Sequence, residues 1–319
     1  MGILVTGGAG FIGSHLLERL LEEGRPCVCL DNFDDFYPPA IKRKNVERFL
    51  RSADFRLVEG DIRDPGSMVR ASRAMEISAV IHLAARAGVR PSIQEPRLYQ
   101  DVNINGTMNV LEFARSKGIR RLVYASSSSV YGNNEKIPFG EDDPVDHPIS
   151  PYAATKRAGE LLCHAYSHLY GIDITCLRLF TVYGPRQRPE MAIHSFTKRI
   201  DRGLPVEVFG DGSSQRDYTF VSDIVDGVVA ALDRTAGYHV YNLGESRTVT
   251  LLELIAHIEE ALGKKALIEK LPEQPGDARR TFADISRARN DLGYNPSVPI
   301  DKGIPLFVEW FKEAKRHEV

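Results

Sequence analysis

Tyr152 and Lys156 stand four residues apart in the run Ser150-Pro151-Tyr152-Ala153-Ala154-Thr155-Lys156. That spacing sets both side chains on one face of a helix. A free tyrosine phenol has a pKa of about 10, which makes it a poor base at neutral pH. A positive charge nearby stabilises the phenolate, and Lys156 can supply one. An ordinary aromatic and lysine on an amphipathic helix is the plain alternative. Upstream, however, an apolar segment closes on four consecutive serines, Ser126 to Ser129, followed by Val130-Tyr131-Gly132. Serine clusters are commonly turn formers, so their surroundings decide what they do.

A second group of residues has the spacing to hold a dinucleotide. The first apolar run leads into Gly7-Gly8-Ala9-Gly10-Phe11-Ile12-Gly13 and then an amphipathic stretch. Glycines there allow a tight turn and a close backbone approach, and they let a helix N-terminus aim its free N–H groups at a pyrophosphate. The next apolar run ends in Asp31, followed by Asn32, where a carboxylate can accept both ribose hydroxyls. An acid at that point repels a 2′-phosphate, and no arginine immediately follows it, so NAD is expected over NADP. Asp61 and Ile62 are candidates for the adenine edge, with a helix or turn cap the equal alternative for Asp61. Leu83, Ala84 and Ala85 follow His82 where the cofactor backbone must pass, and His82 reads as a packed histidine. An oxidised nicotinamide would add a second positive charge near Tyr152.

The elements that must position these groups alternate. Apolar runs with strand character fall at residues 2–6, 27–31, 55–59, 79–83, 121–125 and 173–180. Amphipathic stretches at 12–23, 65–74, 107–117 and 152–170 separate most of them. Alternating strand and helix periods imply a parallel sheet covered on both faces. The expected fold is α/β, a Rossmann-type doubly wound parallel sheet with a smaller, discontinuous C-terminal α/β substrate domain. Prolines at 185, 189 and 205 mark the change of architecture. Residues 1–181, with returning segments at about 220–262, are assigned to the nucleotide domain, and about 182–219 and 263–319 to the substrate domain. Helices are expected at 222–233, 251–262 and 305–317, and a strand at 238–243.

The chain has 319 residues, 43% of them hydrophobic, which suffices for a packed core without staples. Four cysteines, Cys27, Cys29, Cys163 and Cys176, lack paired CxxC spacing, so neither a zinc site nor a disulfide framework is expected. No secretion leader or membrane-spanning run is read, and a cytoplasmic setting fits. A net charge of −2 without charged blocks gives no argument for nucleic acid or a membrane surface.

Taken together, the glycine turn, the Ser126–Gly132 stretch and the Tyr152/Lys156 pair resemble the extended short-chain dehydrogenase/reductase family, over nearly the whole chain. The resemblance implies that Tyr152 is the catalytic base. It implies too that Lys156 binds the nicotinamide ribose and lowers the tyrosine pKa, and that Ser127 hydrogen-bonds the reacting oxygen, with Ser126 near the cofactor. Asn103 resembles an asparagine near the cofactor in sugar-nucleotide members, a helix cap being equally open. Dehydrating and decarboxylating relatives carry an acid beside the serine, since those reactions need an acid/base pair. Here Ser128 and Ser129 occupy those positions. The implied reaction is hydride transfer at C4 and its reversal, which is epimerisation with NAD regenerated.

Arginine suits phosphate and carboxylate. Arg216, Arg279 and Asp277 match positions that hold the nucleotide diphosphate and ribose in nucleotide-sugar epimerases, a surface salt bridge being the alternative for each. The run Thr181-Val182-Tyr183-Gly184-Pro185-Arg186-Gln187-Arg188, with Ala87-Gly88-Val89-Arg90 and the early Asp31-Asn32-Phe33-Asp34-Asp35-Phe36-Tyr37, looks most like the UDP-glucuronate 4-epimerases. Arg188, aided by Ser128 and Thr181, is then the candidate for the C6 carboxylate, and Arg90 a further one. A UDP-glucose or UDP-N-acetylhexosamine 4-epimerase is the nearest alternative, and a non-catalytic NAD sensor a remote one. The helices at 107–117 and 152–170 resemble those that build a four-helix homodimer interface.

Overall fold

The structure is a computed structural model in which residues 1–234, 236–272 and 280–316 are described. Its strands in chain order are β1 (Gly2–Thr6), β2 (Cys27–Asp31), β3 (Phe55–Glu59), β4 (Ile77–His82), β5 (Arg121–Ser127), β6 (Asp173–Leu179), β7 (Thr181–Tyr183), β8 (Pro205–Phe209), β9 (Gln215–Phe220), β10 (Tyr238–Leu243), β11 (Thr248–Thr250) and β12 (Leu267–Leu271). Seven of them form one sheet in the order β10-β6-β5-β4-β1-β2-β3, with every neighbouring pair parallel.

β1 and β2 are buried along their whole length, as unalternating apolar runs must be when helices cover both faces. Successive side chains point to opposite faces. Leu4, Val28 and Val80 accordingly pack in one core cluster, while Ile3, Val5, Cys29 and Ile81 pack in the other. The chain winds outward from β1 through β2 to β3, returns to lay β4 on the other side of β1, then winds out through β5 and β6. Above the C-terminal ends of β1 and β4 this reversal leaves a crevice, the usual ligand site of an open α/β sheet.

The helix Pro151–Tyr170 has local reasons to start and stop where it does. Ser150 Oγ accepts the Ala153 N–H at 3.1 Å, and Pro151 sits in the first turn, where no N–H is needed. Gly171, at φ 63°, ends the helix in a left-handed conformation that favours glycine. The start places Tyr152 in the first turn, beside the end of β5.

The smaller region holds two short sheets, β11-β9-β7 and β12-β8. The stretch assigned above to the nucleotide domain at 220–262 divides. β10 pairs with β6, whereas helix Leu251–Leu262 packs on helices Ala192–Asp201 and Ile300–Arg316. Conversely, helix Ser286–Leu292 lies on helix Val221–Arg234 and β10, within the larger region. Periodicity identifies the apolar face of a helix but not the neighbour that covers it. The last helix begins at Ile300 with Pro305 inside it, so proline as a helix-start signal misplaced its beginning. Helices Pro39–Glu47, Val89–Gln94, Pro96–Gln100 and Ala192–Asp201 were not expected, nor was the single π-helical turn Asp101–Asn105. Among the described residues no helix is long and apolar enough to cross a membrane, and no cluster of side chains could hold a metal ion.

Candidate active site

One cleft gathers most of the residues singled out from the sequence. Gly7, Gly10, Phe11, Ile12, Gly13, Asp31, Asn32, Asp61, Ile62, Leu83, Ala84 and Ala85 line one part of it, and Ser126 to Ser129, Tyr152, Lys156, Thr181 and Arg188 another. β1, β2, β4 and β5 deliver these groups to the same edge of the sheet.

The glycine turn fits a dinucleotide phosphate. Gly7 has φ +70°, and a Cβ there would lie 2.7 Å from Ala84 N. At Gly13 a Cβ would lie 2.4 Å from Gly7 O, so the helix can approach the turn only without a side chain. Helix Phe11–Glu22 begins at Gly10 with no side-chain cap, which leaves its first N–H groups for an anion. Asp31, buried at the end of β2, accepts Ala9 N–H at 3.0 Å and Phe33 N–H at 2.9 Å, one on each oxygen. Each oxygen retains a further acceptor position for a ribose hydroxyl. Asp61 makes a turn with Arg63 N–H at 2.8 Å and accepts from Asn32 Nδ2 at 2.9 Å. Burial pushes its carboxyl up, but Arg63 and Asn32 outweigh that and hold it below the usual range. The cap of the following helix is Asp64.

His82 is locked in the interior. Its Nδ1 lies 2.7 Å from Thr6 Oγ1 and its Nε2 3.0 Å from Thr107 Oγ1. Thr107 donates its own proton to Asn103 O at 2.6 Å, so Nε2 must carry the imidazole proton and Nδ1 must accept from Thr6. Burial lowers its pKa to about 3, which keeps the ring neutral. Asn103, in the π-helical turn, does not line the cleft. Its side chain accepts Arg86 N–H at 2.8 Å and donates to Arg86 O and Thr155 Oγ1, each at 3.0 Å. It pins the loop after β4 to the helix that carries Tyr152.

In the part of the cleft around Tyr152, Ser127 Oγ donates to Ser129 Oγ at 3.1 Å and accepts Ser129 N–H at 3.2 Å. Burial pushes the Tyr152 phenol above its ordinary pKa, and the Ser127 hydroxyl and Arg188 guanidinium pull against it. Lys156 Nζ donates to Ala125 O at 2.7 Å and sits 5.2 Å from the centre of the Tyr124 ring. Its pKa falls to about 8, chiefly through burial. Ser126 Oγ is committed to Glu160 at 2.6 Å. Arg188 Nε pairs with Glu190 at 3.1 Å, which leaves its Nη edge for a ligand carboxylate. Cleft-lining carboxylates occur only among Asp31, Asp34 and Asp61 of the described residues, so none stands beside Tyr152 or Ser127.

Two arginines expected at the substrate do not line this cleft. The Arg90 guanidinium sits 4.7 Å from the centre of the Phe209 ring, and Arg216 Nη1 donates to Gln215 O at 2.9 Å. Neither is among the cleft-lining residues. Asp277 and Arg279 lie outside the described residues. Conversely, Lys42 and Arg86 line the cleft and were not anticipated, and Asp34, Phe36 and Tyr37, which line it too, entered only through the resemblance and not as site residues. Arg86 follows Ala84-Ala85 directly, a signal that could have found it; Lys42 lies on a helix that the sequence pattern did not reveal.

Comparison with known proteins agrees with this geometry. Residues 3–244 match the model of the NAD dependent epimerase/dehydratase family. A UDP-glucuronate 4-epimerase of Thermodesulfobacterium geofontis is 43% identical over 311 residues, covering 97% of this chain and 96% of that protein. The structure of a Bacillus cereus UDP-glucuronic acid 4-epimerase in complex with UDP-glucuronic acid and NAD superposes with a TM-score of 0.91 at 37% identity, over 98% of this chain and 100% of that one. A Thermotoga maritima UDP-glucose 4-epimerase with UDP-glucose gives a TM-score of 0.91 at 34% identity, over 99% and 100%. The chain belongs to the NAD dependent epimerase/dehydratase family.

Proposed function

We propose that this chain is a nucleotide-sugar 4-epimerase that uses NAD and interconverts UDP-glucuronate and UDP-galacturonate. The observation that carries the reading is the reacting end of the cleft, where Ser127, Ser128, Ser129, Tyr152, Lys156, Thr181 and Arg188 meet with no carboxylate among them. Elimination or decarboxylation assisted by a second acid/base group lacks that group here.

The residues suit a proton taken from and returned to one oxygen. Tyr152 accepts the C4 hydroxyl proton, while Ser127 holds the same oxygen and is itself oriented by Ser129. Bound NAD supplies the hydride acceptor and, on the return, the donor. The glycine turn and Asp31 would hold its diphosphate and ribose, and Lys156 would bind the nicotinamide ribose. After the sugar turns within the cleft, Tyr152 gives its proton back to the C4 oxygen of the other epimer.

Arg188, through its Nη edge, with Ser128 and Thr181, holds the C6 carboxylate. A fork-shaped guanidinium fits a carboxylate better than a neutral hydroxymethyl, which favours the uronic acid over UDP-glucose. Held in this way, the 4-keto acid keeps its carboxylate. Arg216, Asp277 and Arg279 are assigned to the nucleotide diphosphate and ribose. Exposed Leu161, Leu169 and Tyr170 on helix Pro151–Tyr170 support a homodimer formed through that helix and Gly106–Ser116. A cytoplasmic setting belongs to the same reading, supported by four buried, unpaired thiols. Comparing turnover of UDP-glucuronate and UDP-glucose tests the substrate assignment: preference for the neutral sugar would overturn it.

A further inference from the structure

The sheet order places β1 between β4 and β2. Loops leaving the C-terminal ends of β2 and β4 therefore rise on either side of the glycine turn that follows β1. A side-chain bridge between those two loops has to arch over the turn.

Such a bridge is present. Arg86, four residues beyond His82, donates through Nη1 to Oδ1 of Asp34, which follows β2. Its Nη2 lies 3.7 Å from Glu95 Oε2. The guanidiniums of Arg86 and Arg188 both lie against the Phe36 ring, at 4.8 and 5.5 Å from its centre, within reach of a cation–π contact. Asp34, Phe36, Arg86 and Arg188 all line the cleft that holds the glycine turn and Asp31.

Both ends of the bridge are anchored by further hydrogen bonds. The backbone N–H and C=O of Arg86 are each bonded to Asn103. On the other side, Asp34 N donates to Asn32 Oδ1 at 3.0 Å, its carbonyl accepts from Lys42 Nζ at 2.7 Å, and its carboxylate accepts Phe36 N–H at 2.9 Å. Arg86 is 12% exposed, and its Nε is buried without a partner. A buried donor in that state is costly unless a ligand satisfies it, and the cleft it lines is the one assigned above to the cofactor.

We propose that Arg86 and Asp34 form a clasp over the dinucleotide, which must open before the cofactor can enter or leave. The inference rests on the epimerase reading: an enzyme that returns the hydride to the same sugar gains from holding its cofactor through the whole cycle. If the reduced cofactor left midway, the keto sugar would be stranded.

The test reads cofactor exchange and needs no sugar. Holoprotein carrying NAD is mixed with isotopically labelled NAD, and replacement of the bound molecule is followed by mass spectrometry after rapid desalting. Arg86→Gln and Asp34→Asn are each expected to speed exchange by about tenfold or more, and the double variant by no more than about threefold beyond the faster single, because both remove one bridge. Unchanged exchange in the single variants, or a double whose rate is the product of the two single effects, would overturn the clasp. Asp34→Asn leaves the charge of Arg86 in place, so it carries the test alone if Arg86→Gln is unstable. Wild-type protein that neither purifies with nor takes up NAD would contradict the cofactor assignment instead, and that failure is seen before any exchange is measured.

Discussion

Ser126 Oγ donates a 2.6 Å hydrogen bond to Oε1 of Glu160, a carboxylate with no exposed surface. Glu160 lies one turn beyond Lys156 and two beyond Tyr152 on the same helix, so the three share a face. Arg178 of β6 grips both oxygens of Glu160, Nε at 2.9 Å and Nη2 at 3.0 Å. Arg157 Nη1 adds a bond at 3.1 Å. The end of β5, the helix carrying Tyr152 and β6 are thereby joined next to Ser127.

Removing one member of that network leaves a buried charge without its partner. Glu160→Ala is expected to lower stability by about 3–5 kcal/mol, the usual cost of stripping a buried ion pair. Replacing both partners, Glu160→Leu with Arg178→Met, should cost less than either single change. Urea unfolding midpoints check the order, and a double variant weaker than both singles would contradict it.

Tyr152→Phe keeps the ring, including its edge-on contact with Tyr99 at 6.2 Å between centroids, and removes only the proton-transfer oxygen. Turnover should fall about 10²–10⁴-fold, the range for a positioned acid/base group. The NAD content of the purified variant should stay at the wild-type level. Loss of bound NAD in parallel with activity would point to a structural role for the phenol.

Arg188→Leu removes the Nη edge assigned to the C6 carboxylate. A charged hydrogen bond contributes about 1.5–3 kcal/mol, so kcat/KM for UDP-glucuronate should drop on the order of 10–100-fold more than that for UDP-glucose. Some loss is expected with both sugars, because Arg188 also lowers the Tyr152 phenol. Equal losses would assign Arg188 to Tyr152 alone.

Glu245 gives a pH signature remote from the chemistry. Burial, followed by Asp223 and Asp217, raises its carboxyl from 4.5 to about 7, and its Oε2 is buried without a partner. The folded state thus binds a proton that the unfolded chain has already released between these values. Stability from this group is complete below pH 4.5 and is lost as pH rises through 7. Glu245→Gln should therefore raise the Tm at pH 8 by on the order of 2 °C, with little change near pH 4.5. Equal shifts at both pH values would contradict the assignment.

How far the sequence carried the site depended on the distance each contact spans. Tyr152 and Lys156 lie four residues apart, where helical spacing alone places them on one face. Asp31 and the glycines were readable because strand, turn and helix follow in order. The join of Arg86 to Asp34 spans 52 positions, and nothing in either local pattern points to the other. Lys42 was missed because helix Pro39–Glu47 has too few apolar residues to declare a period. Arg90 and Arg216 were matched by position along the chain, and spacing does not give the contacts of a long side chain, here Phe209 and the Gln215 carbonyl among others. The same limit explains helix Leu251–Leu262, recognised as a helix yet packed against the smaller region.

The most direct test is to incubate the purified protein with UDP-glucuronate and follow the C4 proton of the sugar by NMR. Inversion at C4 is expected, giving UDP-galacturonate at equilibrium with no UDP-pentose, no carbon dioxide and no net accumulation of NADH. An unchanged UDP-glucuronate spectrum in a sample that epimerises UDP-glucose, or release of a UDP-4-keto-pentose at the rate of epimerisation, would contradict it.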